Sequence, residues 1–293
     1  MAACMGVLLV LRWGMGVMVM YFYKMHGLGN DFILTLDLDG MVQASPERAV
    51  RLCDRHTGIG ADGWMLVRHS ETCDVQMFLY NSDGSVAEMC GNGLRCFAKF
   101  VYDRGIVKKE VFTVETLAGV MQVRLTVKDG EAALVTANIG RATFVRAAIP
   151  MVGEGVCDRQ VICSGSREFT ISACLMGVPH VVVFGRDFGE EDVLKYGPLL
   201  EVSPLFPRKA NINFVNVLDD HTVEVRTWER GCGRTLACGT GSCATAVLCH
   251  KSGYTKNEVE IRLQEGSLFI KVTDDGVMMT GPAARSFEGE TAL

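Results

Sequence analysis

The alternation of hydrophobic and polar residues divides the chain into many short strands and a few helices. Runs of β-branched and aromatic residues are bounded by Gly, Asn or Asp, which is typical of sheets with tight turns. Ser45, Pro46 and Glu47 supply a cap, a first-position proline and a first-turn acid for one helix. The pattern predicts helices at 46–55, 91–104, 190–196 (on the surface) and 239–251. It predicts strands at 21–25, 31–36, 64–68, 75–80, 111–116, 120–127, 132–137, 167–173, 181–184, 214–218, 222–228, 259–263, 267–272 and 277–280.

Two segments of this pattern repeat one another. Each has a cysteine, Cys90 or Cys238, directly before a Gly-x-Gly turn and a predicted helix. Tyr80 and Trp228 each lie ten residues before their cysteine, and strand-like runs begin 21 residues after it. The period is too long for a solenoid and indicates a duplicated domain. We expect a first domain of residues 20–137 with 282–293, and a second domain of residues 138–281.

The first nineteen residues are apolar, with a single charge at Arg12. A signal peptide would have its positive charge before the apolar run and a cleavage site after it. A membrane span would place Arg12 near the centre of the bilayer, at a cost of roughly 2.5–3.5 kcal/mol. We therefore expect residues 1–19 to be a non-native or dispensable extension, with a weak membrane-contacting tail as the alternative.

Composition and charge narrow the class of protein. The chain has 293 residues, 48% hydrophobic and 22% charged, with a net charge of −5 and no long basic run. We therefore expect a globular protein without a nucleic-acid or membrane partner. Twelve cysteines could indicate a disulfide framework, but the chain is longer than disulfide-dense proteins usually are, so a reducing, cytoplasmic setting is expected.

The position of the repeated cysteines suggests their chemistry. A free thiol has a pKa of about 8.5, and the unpaired N–H groups at a helix N-terminus favour its thiolate. The same N–H groups bind a carboxylate, so two such helices would place one sulfur on each face of an α-carbon. One thiolate then removes the α-proton while the other thiol supplies a proton. This scheme needs no cofactor, and the chain has no nucleotide-binding fingerprint.

Metal binding is another use of cysteine that the spacing can test. Cys232, Cys238, Cys243 and Cys249 are spaced by six, five and six residues, unlike the two-residue gaps of zinc sites. We therefore expect no metal site, and we expect the remaining cysteines to fill the core or the surface. A non-catalytic redox or metal-binding protein stays open as an alternative from another class.

Four motifs, at residues 24–32, 81–85, 90–96 and 229–241, resemble those of the diaminopimelate epimerase family. The resemblance runs from about residue 20 to the C-terminus in consistent order. It implies a pyridoxal-independent isomerase that converts LL-diaminopimelate to the meso form, on the route to lysine and peptidoglycan. It also implies an α/β (α+β) fold of two similar, pseudo-symmetric domains, each a curved mixed sheet around a central helix. The active site would lie in the cleft between them, and the enzyme would be a homodimer.

The resemblance also implies roles for particular residues. Cys90 and Cys238 would be the acid/base pair, supported by His180 and Glu229. Arg230 would grip a carboxylate, and Glu229 would take an ammonium group. The expected substrate-binding residues are Asn30, Asn81, Gly91, Asn92, Asn211, Glu229, Arg230, Gly239 and Thr240. Asn30 and Asn81 follow or precede glycine-rich turns, so a simple turn role is the alternative for both.

The chain departs from the family pattern at three positions. Val178 stands where an asparagine often holds the distal end of the substrate, and Gly63 stands where some members have glutamine. Arg234 replaces a glutamate and is expected to add positive charge near Cys238. Because valine cannot form a side-chain hydrogen bond, a racemase of another amino acid on the same scaffold is the alternative function.

Overall fold

The computed structural model describes residues 11–14 and 17–292. The chain forms two compact units, Met1–Val135 with Ala283–Leu293 (unit 1) and Thr136–Pro282 (unit 2). The sequence analysis places the two domain boundaries at 137/138 and 281/282. They lie two residues after the first boundary in the structure and one residue before the second. Of the predicted extension, residues 1–10, 15 and 16 lie outside the described residues, and its dispensability stays a prediction.

Unit 1 is a mixed sheet with two helices. Strands β2, β3, β4, β5, β7 and β8 follow one another across the sheet, with parallel pairing at β3–β4 and β5–β7 and antiparallel pairing elsewhere. Helix α2 packs on β2, β3, β4 and β8. The elements are β1 (Leu11–Gly14), β2 (Val17–Gly27), β3 (Asn30–Leu36), α1 (Pro46–Cys53), β4 (Gly63–Arg68), β5 (Val75–Asn81), β6 (Val86–Ala87), α2 (Gly91–Asp103), β7 (Val111–Thr116), β8 (Gly119–Lys128), β9 (Glu131–Asn138, which crosses into unit 2) and β19 (Ala284–Ala292).

Unit 2 repeats the same order of parallel and antiparallel pairs. Strands β11, β12, β13, β14, β16 and β17 follow one another, with parallel pairing at β12–β13 and β14–β16. Helix α4 packs on β11, β12, β13 and β17. The elements are β10 (Gln160–Ser164), β11 (Arg167–Met176), β12 (Val178–Gly185), α3 (Glu190–Glu201), β13 (Asn211–Val217), β14 (Thr222–Glu229), β15 (Gly233–Thr235), α4 (Gly239–Lys251), β16 (Glu258–Leu263), β17 (Gly266–Thr273) and β18 (Gly276–Gly281). The predicted mixed α/β fold of two similar halves is confirmed.

Strand register makes three central strands of the two units equivalent residue by residue, β3, β4 and β5 in unit 1 and β12, β13 and β14 in unit 2. In unit 1, Trp64 pairs with Ile33 on one side and Tyr80 on the other. In unit 2, Ile212 pairs with Val181 and Trp228 in the same way. Because side chains alternate along a strand, this register fixes which positions lie beneath each cysteine helix.

Several predicted boundaries change in the structure. The predicted loop at 26–30 is a two-residue turn at Leu28 and Gly29, both with positive φ (57° and 89°), so the flanking strands run up to it. Helix α1 ends at Cys53, because the Asp54 carboxylate accepts the N–H groups of the next turn. Helix α3 continues past Tyr196 to Glu201 and buries Val193, Tyr196 and Leu200, so it belongs to the core of unit 2.

The pattern also missed five strands, which are β1, β6, β10, β15 and β19. Strand β19 pairs with β2 but exposes most of its side chains, so it carries no clear alternation. Strands β6 and β15 have two and three residues, too few for a period to be read. Among the described residues, no helix is both long and apolar enough to cross a membrane.

Candidate active site

Cys90 occupies the N-cap of α2, as its place before Gly-x-Gly predicts. Its backbone is extended (φ −139°, ψ 120°), and its sulfur accepts the N–H of Gly93 at 3.4 Å. The thiol also lies 3.8 Å from the side-chain oxygen of Asn30. Because α2 begins at Gly91, the N–H groups of Gly91 and Asn92 belong to the first turn, which has no intrahelical acceptors.

Asn30 is held in place by three side-chain contacts. Its amide donates to Asp62 at 2.6 Å, and its oxygen accepts from Asn92 at 3.0 Å. It is the first residue of β3, directly after the Leu28-Gly29 turn. The turn alternative is therefore incomplete for Asn30, since the residue also joins the turn to the N-terminus of α2.

A charged cluster beneath Asn30 fixes Asp62. Asp31 pairs with Lys24 at 2.6 Å and with Arg55 at 2.7 Å, and Arg55 also contacts Asp62 at 2.8 Å. Burial acts to raise the pKa of Asp31, but hydrogen bonds from Arg55 and Lys24 outweigh it and lower the pKa to about 2. The pKa of Asp62 is raised by burial. Asp31 is therefore ionised at physiological pH and pairs with both Lys24 and Arg55.

Asn81 lies at the end of β5, opposite Gly63 of β4. Its amide donates to Ser85 at 2.9 Å, and its backbone N–H donates to the Ser85 carbonyl, so it closes the turn after the strand. A Cβ at Gly63 would lie 2.7 Å from the Tyr80 carbonyl oxygen and 3.0 Å from Leu79. Gly63 thus has no room for a side chain without a shift of β5.

Arg95 is a residue that the sequence analysis passed over. It is fully buried in α2, and its guanidinium donates to the Asn92 side-chain oxygen at 3.0 Å and to the Gly91 carbonyl at 3.5 Å. It orients Asn92, which in turn holds Asn30. Its place three residues after Asn92, one helical turn along α2, was the available signal.

In unit 2, Cys238 occupies the N-cap of α4 and is almost fully buried. Its sulfur lies 3.6 Å from the Thr240 hydroxyl. Burial raises the pKa of the Cys238 thiol well above its usual range, and the nearby Glu229 carboxylate adds to the rise. The Thr240 hydroxyl and the Gly241 N–H oppose it without cancelling it. The helix N-terminus alone therefore does not lower the pKa of Cys238 as the sequence analysis expects, because burial and Glu229 outweigh it.

Glu229, which lies near Cys238, and the adjacent Arg230 are held by hydrogen bonds. Glu229 accepts the Thr235 hydroxyl at 2.6 Å. The Asn211 side chain accepts the backbone N–H of Arg230 at 2.8 Å, and the Arg230 guanidinium donates to the Arg208 carbonyl at 3.1 Å. Asn211 therefore fixes the backbone from which Arg230 and Glu229 project.

His180 is fully buried in β12 and lies beneath the first turn of α4. Its Nε2 lies 3.1 Å from the Thr240 hydroxyl, and its Nδ1 lies 3.3 Å from the side-chain amide of Asn213. Burial and, to a lesser degree, Arg230 lower the pKa of His180 to about 3. The imidazole is therefore neutral at physiological pH. Asn213 and Thr227, which complete this group, were missed because buried strand positions gave no functional signal.

The structure shows the environment of two residues that depart from the family pattern, Arg234 and Val178. Arg234 pairs with Glu190 at 2.7 Å and contacts Gln264 at 3.3 Å, so its charge is neutralised on the side of α3. The expectation that Arg234 adds positive charge near Cys238 is not supported by these contacts. Val178 is half-buried at the start of β12, next to the turn at Gly177.

Of the remaining cysteines, those that the structure describes lie in the core or at the surface, and Cys4 lies outside the described residues. Cys96, Cys243 and Cys249 are buried in their helices, and Cys163 and Cys232 are exposed. The residues that the structure describes contain no group of three His, Cys, Asp or Glu side chains arranged to hold a metal ion.

The sequence model of the family described as "Diaminopimelate epimerase" matches residues 22–145 and 172–286. The chain is 45% identical over 275 residues to the diaminopimelate epimerase of Pelotomaculum thermopropionicum, covering 92% of this chain and 98% of that protein. It is 44% identical over 275 residues to that of Clostridium perfringens, with the same coverage. The chain belongs to the diaminopimelate epimerase family. It is an isomerase, and the redox or metal-binding alternative is set aside.

Solved structures support the fold of this family member. A phenazine biosynthesis protein of the PhzF family from Bacillus anthracis matches with a TM-score of 0.68 at 17% identity, over 94% of this chain and 99% of that one. A hydroxyproline epimerase from Agrobacterium vitis matches with a TM-score of 0.66 at 16% identity, over 94% and 91%. These likenesses show a shared fold.

Proposed function

We propose that this diaminopimelate epimerase inverts the α-carbon of its substrate with Cys90 and Cys238 as the two acid/base groups. One thiolate removes the α-proton and the other thiol delivers a proton to the opposite face. The observation that carries the proposal is that both cysteines occupy N-caps of equivalent helices, α2 and α4, in two units of matching strand order. First-turn N–H groups of Gly91, Asn92, Gly239 and Thr240 bind the carboxylate and hold the charge that develops on it.

The raised pKa assigns Cys238 a starting state. Cys238 rests as a thiol, so it is the proton donor in the first turnover of a substrate that Cys90 deprotonates. Glu229 takes the ammonium group of the substrate, and this cation reduces the effect of Glu229 on the Cys238 thiol. Binding thereby brings the pKa of Cys238 closer to the range in which it exchanges protons.

The remaining substrate contacts follow from the anchored residues. Asn30, Asn81 and Asn211 hold polar groups of the substrate, and Arg230 binds the distal carboxylate. Val178 contributes only apolar contact, and Gly63 contributes backbone. From the resemblance alone, we propose that the enzyme is a cytoplasmic homodimer. Light scattering in solution would measure the oligomeric state.

The test is the pair Cys90→Ala and Cys238→Ala, assayed for LL-diaminopimelate epimerisation and for α-proton exchange in heavy water. Each variant is expected to lose epimerisation by about 10²- to 10⁴-fold, the contribution of a general acid or base. Cys96→Ala and Cys243→Ala are matched controls, because both cysteines are buried in the same two helices. Near-normal epimerisation by either N-cap variant would overturn the two-base assignment.

Val178 keeps one alternative in view, a racemase of another amino acid. A panel of single L-amino acids, followed by exchange of the α-proton in heavy water, separates the two functions. We expect exchange with diaminopimelate alone. Faster exchange with a substrate that lacks the distal carboxylate would favour the alternative.

A further inference from the structure

The hydrogen bonds that join Thr227, Asn213 and His180 have a defined direction from donor to acceptor. Asn213 is fully buried, and its side-chain oxygen accepts the Thr227 hydroxyl at 3.1 Å. Its NH₂ group donates to the Val181 carbonyl at 3.1 Å, and it faces Nδ1 of His180 at 3.3 Å. A carbonyl can only accept, so Val181 fixes which end of the amide carries the hydrogens.

This fixed amide decides the protonation of His180. Since the NH₂ group of Asn213 is a donor, Nδ1 of His180 is the acceptor, and the proton of the neutral ring sits on Nε2. The Nε2–H then donates to the Thr240 oxygen at 3.1 Å. The Thr240 hydroxyl hydrogen is left to point at the Cys238 sulfur at 3.6 Å.

We infer that Asn213 is a positioning residue that sets the tautomer of His180 and thereby directs the Thr240 hydroxyl to donate to the Cys238 sulfur. With the opposite tautomer, Nε2 would compete with the sulfur for the same hydroxyl hydrogen. The correct tautomer therefore stabilises the thiolate that Cys238 becomes whenever it gives up its proton. This inference rests on the proposed role of Cys238.

Unit 1 shows that the fold does not require this arrangement. By strand register, the positions of His180, Asn213 and Thr227 correspond to Phe32, Met65 and Leu79, which are all buried and apolar. The charged groups near the arrangement in unit 2 are Glu229, next to Cys238, and Arg230, which acts on His180.

The direct test is ¹⁵N NMR of the imidazole nitrogens in the unliganded protein. We expect the Nε2–H tautomer for His180 in the wild type, and Nδ1–H in Asn213→Asp, because a carboxylate accepts where the amide donated. A wild-type His180 in the Nδ1–H form would overturn the inference. This measurement needs no turnover, so it is independent of the test of Cys238 as an acid/base group.

Kinetics supply the second readout. Asn213→Asp and Asn213→Met are expected to lower kcat by about 10- to 100-fold, the effect of one lost hydrogen bond to a charged group, with little change in KM. The limb of the pH profile that reports Cys238 should move to higher pH. Asn216→Met is the control, since Asn216 is buried in the same strand but bonds to Phe188 and Glu224. An unchanged pH profile in both Asn213 variants, or an equal shift in Asn216→Met, would contradict the inference.

Discussion

The two cysteine helices, α2 and α4, both begin after an N-cap cysteine, but they pack on different side chains of their sheets. Beneath α2 the sheet presents Phe32, Met65 and Leu79, and Cys90 contacts the Asn30 side chain at the strand end and the N–H of Gly93. Beneath α4 the equivalent positions carry His180, Asn213 and Thr227. The backbone and the strand order are the same in both units. The difference teaches that the fold supplies the N-cap position, while the side chains below it decide how each thiol holds its proton.

The largest effect is expected from giving unit 2 the side chains of unit 1. The triple variant His180→Phe, Asn213→Met, Thr227→Leu removes the polar partners together, so its free energy of unfolding should stay within about 2 kcal/mol of the wild type. Its epimerisation should fall by roughly 100-fold or more, because the Cys238 thiolate loses its supported donor. Urea denaturation and turnover measure the two quantities. A folded triple variant with wild-type turnover would show that the polar group is dispensable.

A smaller loss is expected from the hydroxyl alone. Thr240→Val should lower kcat by about 10- to 100-fold, and Thr240→Ser should restore most of it, since serine keeps the donor.

The equivalent change in unit 1, Asn92→Val, removes hydrogen bonds to Asn30 and Arg95. We expect it to cost about 1–3 kcal/mol of stability. We do not expect it to move the Cys238 limb of the pH profile to higher pH, as we expect Thr240→Val to do. The same pH shift in both variants would remove the distinction between the units.

The two units should also differ in their response to acid. The pKa of His180 falls to about 3 in the folded protein, so the unfolded chain binds one more proton than the folded protein between about pH 6.5 and 3. Stability therefore falls as pH falls through this window, by about 1.4 kcal/mol per pH unit. The triple variant, which lacks His180, should lose this slope when urea denaturation is repeated from pH 6 to pH 4.

In unit 1, Asp31 affects stability at lower pH than His180 does. The stabilisation that ionised Asp31 contributes is present above pH 4 and is lost as pH falls towards its folded pKa of about 2.

The smallest contrast concerns the second glycine of each motif. A Cβ at Gly241 would overlap the Asn213 side-chain oxygen, whereas a Cβ at Gly93 would meet the terminal methyl of Met65 at 3.1 Å. Methionine can yield and a fully bonded amide cannot. Gly241→Ala should therefore cost about 1–3 kcal/mol of unfolding free energy, and Gly93→Ala less than about 1 kcal/mol. Equal losses of unfolding free energy in thermal or urea melts would mean that Asn213 and Met65 yield equally to the added methyl group.

These comparisons also show what the sequence could reveal. The helices at 91 and 239, and the equivalence of Tyr80 with Trp228, followed from local spacing, because caps and turns are short-range features. Asn213 and Thr227 could not be found this way. Their chemistry depends on partners 33 and 14 residues apart in sequence, brought together by strand register. The pKa of Cys238 was misjudged for the same reason, since burial and Glu229 outweigh the local helix N-terminus.

The protonated state of Cys238 has a consequence for the durability of the enzyme. Oxidants and alkylating agents attack thiolates far faster than thiols. Because Cys238 is buried and its pKa is raised, its thiol is expected to react slowly with these reagents between turnovers. Cys90, which is only half-buried, is the sulfur through which such reagents are expected to inactivate the resting protein first.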